Sequence, residues 1–236
     1  MAVQYTHNKP TRKSTIKKVL ILLALFVVPI TFDLILSSGK HQFGHLPVLT
    51  KTVDEFPSTA KTLTGKRIQL DNKITILGFL GKDALARKAN VFNLNEKIYR
   101  RFHKYDGLQF VLVLPQGMET AAKEIKQQLA SYIDTQKWSF VFMDDEAMLH
   151  FFDGLGTPYN LDDKLGIDLV FIIGRNKGLR GRKKDQRYGY NAHVVADLNN
   201  YMIDDVKIIL AEYRLALKKN NALRKDDMLN EYREAN

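Results

Sequence analysis

The side chains that could carry out chemistry are scarce in this sequence. Its 236 residues include six histidines and no cysteine. Disulfide bonds, thiolate metal ligands and a cysteine nucleophile are therefore excluded. His41 and His45 have the i, i+4 spacing that places two imidazoles on one face of a helix, but they lie in a glycine-containing segment. We interpret them as exposed or packing histidines, and the sequence predicts no metal site and no cofactor.

Three acidic residues, Asp144, Asp145 and Glu146, follow an apolar run and could bind a ligand at the end of a strand. An aspartate at such a point also caps the first turn of a helix, and we favour that interpretation. The segment "GLGTPYN" lacks the third glycine of a dinucleotide-binding loop, and no G-x-S-x-G motif occurs. Binding is therefore favoured over catalysis.

Basic residues are concentrated in the segment "RNKGLRGRKKDQRYGYN", residues 175–191, which contributes +6 to a net charge of +10. One interpretation is the solvated end of a hairpin. The other is a docking surface for an acidic partner or anionic head groups, with two tyrosines as aromatic anchors. Nucleic acid is disfavoured because the domain is predicted to be exported. The residues of this predicted docking surface are Arg175, Lys177, Arg180, Arg182, Lys183, Lys184, Arg187, Tyr188 and Tyr190.

An apolar segment begins at Val19 and ends at Leu36, interrupted only by Pro29 and Asp33. As a helix it would span about 27 Å, close to the hydrocarbon core of a bilayer. A cleaved signal peptide is the alternative, but this segment exceeds the usual apolar core of roughly 7–15 residues, and no small-x-small cleavage site follows it. Residues 1–18 carry +5. The positive-inside rule then predicts a cytoplasmic N-terminus and a periplasmic domain, as in a bacterial inner membrane.

The chain is predicted to contain one folded domain behind this anchor. Continuous apolar runs such as "ITILGFL" and "LQFVLVLP" predict strands buried on both faces, and "IDLVFIIGRNKGLRGR" predicts a hairpin that turns at Asn176, Lys177 and Gly178. A last helix covers about 202–219. The predicted order is β-α-β, an inserted α-β-α, a β-hairpin and a closing helix. The segments are a basic N-terminus (1–18), a transmembrane helix (19–37), a linker and lead-in (38–65), the domain (66–219) and a polar tail (220–236).

A resemblance to a known family rests on this order of elements and on two motifs, "LTGKRIQLDNKITILGFLG" and "FIIGRNKG". The chain resembles the Sco/SenC branch of the thioredoxin superfamily, whose membrane-anchored members serve copper delivery to cytochrome oxidase. The resemblance runs from about "FGHLPVLT" to the last helix. It implies an α/β fold, a thioredoxin-like sandwich with a central sheet and helices on both faces, preceded by one transmembrane helix.

The chemistry of that family needs two cysteines four residues apart after the first buried strand, and a histidine before the hairpin. On "GFLGKDALA" the cysteine positions fall on Lys82 and Ala86, and "KLGID" before the hairpin has no histidine. The resemblance therefore implies the architecture and not the activity. We predict a membrane-anchored, non-catalytic domain that acts as a binding, accessory or assembly factor for a membrane complex, with the respiratory oxidase as the candidate. The alternatives are a periplasmic enzyme with an unrecognised site and a basic binding module for anionic partners.

Overall fold

The computed structural model describes residues 12–38 and 44–234, which belong to two separate units. Residues 1–11, 39–43 and 235–236, and with them His7, His41 and parts of the predicted N-terminus and linker, lie outside the described residues. The first unit contains helix α1, Arg12–Ser38, with Pro29 inside it. No helix within the described part of the chain combines the length and the apolar character that crossing a membrane requires.

The second unit begins at Gly44 and is built on one eight-stranded sheet. Its strands are β1 (Val48–Thr50), β2 (Lys61–Thr62), β3 (Ile74–Phe79), β4 (Leu108–Pro115), β5 (Trp138–Met143), β6 (Ile167–Ile173), β7 (Leu179–Arg180) and β8 (Tyr190–Asn191). The order across the sheet is β1-β7-β6-β3-β4-β5-β2, and β8 pairs with β6. β3, β4 and β5 run parallel, whereas β6 is antiparallel to β3 and to β7.

Helices lie between these strands in the predicted order. Helix α2 (Lys88–Leu94) continues through a π-helical turn (Asn95–Tyr99) into α3 (Arg100–Phe102). Two further helices are α4 (Glu119–Ala130) and α5 (Asp145–Asp153). Helix α6 (Val195–Asp197) continues through a second π-helical turn (Leu198–Met202) into α7 (Ile203–Glu234). The helices enclose the sheet from both faces. The predicted α/β sandwich, a central sheet with helices on both faces, is confirmed for this unit.

Strand β3 has a continuously apolar sequence because both of its faces are buried. Ile74 and Ile76 belong to the core that packs against α2, α4 and α7. Leu77 and Phe79 belong to a second core on the other face, together with residues of α5. The strand that leads to the candidate site is therefore fixed between two apolar layers.

The predicted linker differs from the structure after Gly44. β1 pairs with β7 and β2 pairs with β5, so two short strands from this segment form the edges of the sheet. Val53 and Phe56 from the same segment are buried in the core beside α5. Strands of two or three residues are too short to display an alternating pattern, and for this reason the sequence did not reveal them.

Candidate functional site

The candidate site is the corner at which β3 ends and the chain turns towards α2. Gly81 begins a single helical turn, Gly81–Asp83, and has a φ of +68°. A β-carbon at Gly81 would lie 2.3 Å from the carbonyl oxygen of Lys164 and 2.6 Å from the amide nitrogen of Gly166. Only glycine fits here, because its φ is positive and because the loop 162–166 packs directly against it.

The main-chain groups of this corner and of the loop 162–166 bond to one another. The N–H of Lys82 donates to the carbonyl of Lys164 at 2.7 Å, and the N–H of Asp162 donates to the carbonyl of Gly166 at 2.9 Å. The N–H of Leu165 donates to the carbonyl of Asp162 at 2.8 Å. The Asp162 carboxylate accepts from the N–H groups of Lys164 and Gly166 at 3.0 and 2.8 Å. These main-chain groups already have hydrogen-bond partners within the domain and are not free to bond to a bound peptide.

Asp162 also fixes the start of α2 to this loop. Burial of the carboxylate raises the pKa of Asp162. Hydrogen bonds from the N–H groups of Gly166 and Lys164, and the hydrogen bond and charge of Arg87, outweigh burial and lower the pKa of Asp162 below its ordinary value. Arg87 contacts the Asp162 carboxylate directly, and its Nε lies 3.5 Å from an oxygen of Asp168 on β6. One guanidinium thus connects the corner, the loop and the sheet.

Lys82 and Ala86, the two positions on which the resemblance places the family's cysteines, both lie at this corner and are exposed. Nζ of Lys82 is 2.6 Å from a carboxylate oxygen of Asp145, and the two side chains are about half exposed, so this pair contributes only ~0–1 kcal/mol. Asp83 pairs with Lys164 at 2.8 Å, and this hydrogen bond and charge raise the pKa of Lys164. An ammonium group and a methyl group supply neither a copper ligand nor a redox thiol.

Asp144, the first of the acidic residues after β5, has a structural role. The carboxylate of Asp144 accepts the N–H of Ala147 at 2.8 Å, which confirms the predicted helix cap. Within residues 12–38 and 44–234, no group of three or more histidine or carboxylate side chains is arranged to hold a metal ion. His45 instead lies 3.0 Å from the carboxylate of Glu212.

The predicted hairpin of β6 and β7 is confirmed, but the basic segment does not form one exposed surface. Asp205, only 1% exposed, binds Nε of Arg182 at 2.9 Å and accepts the hydroxyl of Tyr190 at 2.6 Å. Burial and the charge of Asp205 raise the pKa of Tyr190 well above its ordinary value. The expectation that Tyr190 is an exposed aromatic anchor is wrong, because its ring is fully buried and its hydroxyl is bonded to Asp205.

Two further arginines of the segment are also engaged inside the domain. Arg180 is 6% exposed, donates from Nε to the carbonyl of Leu46 at 2.7 Å, and pairs with Glu212. Arg187 pairs with Asp197 at 2.6 Å. Arg180 is therefore not available at the surface, and Arg187 is partly exposed but has its charge neutralised by a carboxylate.

The remaining residues of the segment lie at the surface to different degrees. Lys183 and Lys184 are exposed, whereas Lys177, at the hairpin turn with a φ of 60°, and Tyr188 are partly exposed. Arg175 is partly exposed, and its guanidinium lies 4.3 Å from the centre of an aromatic ring of α7. We call Lys177, Lys183, Lys184 and Tyr188 the basic surface.

No protein-family model matches the sequence, and no curated protein matches it. The solved structures that are similar to this chain include BsSco, a member of the Sco family of cytochrome c oxidase assembly proteins, with 14% identity and a TM-score of 0.48 over 69% of this chain and 93% of that chain. A SCO1/SenC family lipoprotein from Bacillus anthracis has 15% identity and a TM-score of 0.47 over 67% and 99%. A thiol:disulfide interchange protein from Chlorobium tepidum has 16% identity and a TM-score of 0.44 over 70% and 99%. Sco/SenC and thioredoxin-like proteins are thus among the structures similar to this chain, which itself has no cysteine.

Proposed function

We propose that this protein is a membrane-attached thioredoxin-like domain that acts by binding, as an accessory or assembly factor for a membrane complex, and not by redox chemistry. The observation that carries this proposal is the corner after β3. Lys82 and Ala86 stand where the resembled family needs thiolates, and the loop 162–166 is bonded to the same corner. This corner offers no thiols, and several of its main-chain groups are bonded to the loop 162–166, so we assign binding to another surface of the domain.

The respiratory oxidase is the complex that we propose, because the sequence resembles the Sco/SenC branch. Attachment to the membrane rests on the apolar residues 19–36 of the sequence. The +5 charge of residues 1–18 favours a cytoplasmic N-terminus and a periplasmic domain.

We assign binding to the basic surface, because its lysine charges are not used inside the domain. Lys183 and Lys184 have no ion pair among the described residues. Substituting Arg180 or Arg182 would remove internal ion pairs and would test stability instead of docking. Substituting the exposed lysines instead changes docking without removing an internal ion pair.

The purified full chain is expected to bind no stoichiometric Cu(I) and to leave a disulfide substrate oxidised. Neither Lys82 nor Ala86 provides a soft ligand or a nucleophilic sulfur. The measurements are the copper content after incubation with Cu(I) and desalting, and the rate of insulin reduction with dithiothreitol as electron donor. The variant Lys82→Cys/Ala86→Cys supplies thiols at the same corner for comparison. Tight one-to-one Cu(I) binding by the unsubstituted chain would contradict the proposal.

Neutralising the lysines of the basic surface is expected to abolish capture of the oxidase. The variant Lys177→Gln/Lys183→Gln/Lys184→Gln is purified from native membranes at low and at physiological salt, and the co-purified proteins are identified by mass spectrometry. Capture by the unsubstituted chain should weaken as salt increases, because exposed charges are screened. The matched control removes three other exposed lysines, at positions Lys66, Lys88 and Lys123. If both variants retain the oxidase equally, the basic surface is not the docking site.

A further inference from the structure

A groove of about 410 Å³ lies where the chain enters the folded domain. Residues 44–47 form one part of its wall, residues 182–185 form another, and Ile208 of α7 contributes apolar surface. Leu46 and Pro47 are further apolar lining residues, and the exposed Lys183 and Lys184 provide positive charge. The groove therefore combines an apolar floor with exposed ammonium groups.

Two of the other charged residues that line this groove neutralise each other. Arg182 is bonded to Asp205, so these two charges cancel. Lys183 and Lys184 have no such partner among the described residues, and Asp185 is the one further acidic residue of the lining. The charge that the groove presents to a ligand is therefore positive.

The wall formed by residues 44–47 is held rigidly to the domain. Glu212 accepts the N–H of Leu46 at 2.8 Å, and Arg180 donates to the carbonyl of Leu46 at 2.7 Å. Both main-chain groups of one residue are thus bound by an ion pair that is itself largely buried. The chain therefore enters the domain at a position that is fixed relative to the groove.

The length of the chain limits how far this groove can be from the apolar segment. Eight residues lead from Leu36 to Gly44. A fully extended chain of that length reaches at most about 29 Å. A bilayer that contains residues 19–36 therefore keeps the groove near its surface, within reach of the phospholipid headgroups.

We propose that this groove docks on anionic phospholipid headgroups, with Lys183 and Lys184 binding the phosphates, so that these two lysines support capture of the oxidase by holding the domain against the bilayer. The inference rests on the proposed function, because it requires residues 19–36 to be in the membrane. Two lysines bind a free anionic vesicle only weakly, since each basic residue strengthens the association about fivefold, or about 1 kcal/mol. The tether makes this contact intramolecular, so a weak contact is enough to hold the domain against the bilayer.

The absence of cysteine makes a direct test possible, because a single introduced cysteine can be labelled without background. Val48→Cys places a fluorophore two residues after Leu46, and Tyr132→Cys places one at a turn that does not line the groove. The full chain is reconstituted into phosphatidylcholine vesicles with and without phosphatidylglycerol, both containing lipids with a headgroup nitroxide quencher. We expect stronger quenching at position 48 than at 132, and a difference that increases when phosphatidylglycerol is present.

Changes of charge test whether Lys183 and Lys184 make the contact with the headgroups. Lys183→Gln/Lys184→Gln should reduce the quenching difference severalfold, as should raised salt, whereas Lys88→Gln/Lys123→Gln should leave it unchanged. Equal quenching at the two positions, or a difference that neither phosphatidylglycerol nor Lys183→Gln/Lys184→Gln changes, would overturn the proposal. Loss of oxidase capture without loss of quenching in that variant would assign the two lysines to a protein partner and would also overturn it.

Carbonate extraction separates this proposal from the proposed function. If the full chain remains in the membrane but quenching is equal at both positions, the headgroup contact is wrong and membrane attachment stands. If carbonate extracts the chain, attachment through residues 19–36 is wrong. The headgroup contact requires that attachment, so extraction by carbonate refutes the headgroup contact as well.

Discussion

Replacing Phe79 with aspartate is expected to unfold the domain. Phe79 is fully buried, and its ring packs edge-on against Phe152 and Phe171 at 5.1 and 6.3 Å between centroids. A carboxylate at this position has no partner, and the aromatic packing is lost as well. The combined cost exceeds about 5 kcal/mol, which is comparable to the whole stability of a typical domain. Circular dichroism and urea denaturation of the purified chain measure the result.

Two substitutions serve as controls for Phe79→Asp. Phe79→Leu keeps an apolar side chain and should lower the free energy of unfolding by only about 1–2 kcal/mol. Lys82→Ala, three residues further along the same corner, should change it by ~0–1 kcal/mol, because its pair with Asp145 is half exposed. A Phe79→Asp chain that unfolds cooperatively with nearly unchanged stability would contradict the burial of β3 between two apolar layers.

Replacing Asp205 with alanine is expected to lower the free energy of unfolding by about 3–5 kcal/mol. The carboxylate of Asp205 is 1% exposed and binds both Arg182 and the hydroxyl of Tyr190. Its removal leaves the buried hydroxyl of Tyr190 and the partly buried guanidinium of Arg182 without their partner, so the loss exceeds that of a surface pair. Chemical denaturation of the full chain measures it.

The neighbouring residue offers a matched control. Asp204 also lies in the first turn of α7, but it pairs with Lys207, and each of these two side chains is 58% exposed. Asp204→Ala should therefore cost less than about 1 kcal/mol. Equal losses for Asp204→Ala and Asp205→Ala would show that Asp205 acts only through its charge near the start of the helix, and not through the buried bonds to Arg182 and Tyr190.

Local patterns in the sequence determined the order of the elements and the limits of the chemistry. The apolar runs of β3 and β4 and the capping aspartate Asp144 have the predicted roles. Burial of a strand or of one helix face is encoded by residues that are close together in the chain, so it can be recognised without the fold. The lack of cysteine excluded thiol chemistry by composition alone.

Only the tertiary structure decided which charges are used inside the domain. Arg87 meets Asp162 across 75 residues of sequence, and Arg180 meets Glu212 across 32. From the sequence, residues 175–191 were either the solvated end of a hairpin or one docking surface, but the fold placed Arg180 and Tyr190 in the interior and left Lys183 and Lys184 exposed. The physical reason is that charge pairing depends on distance in space, and the order of charges along a chain does not record which of them will meet.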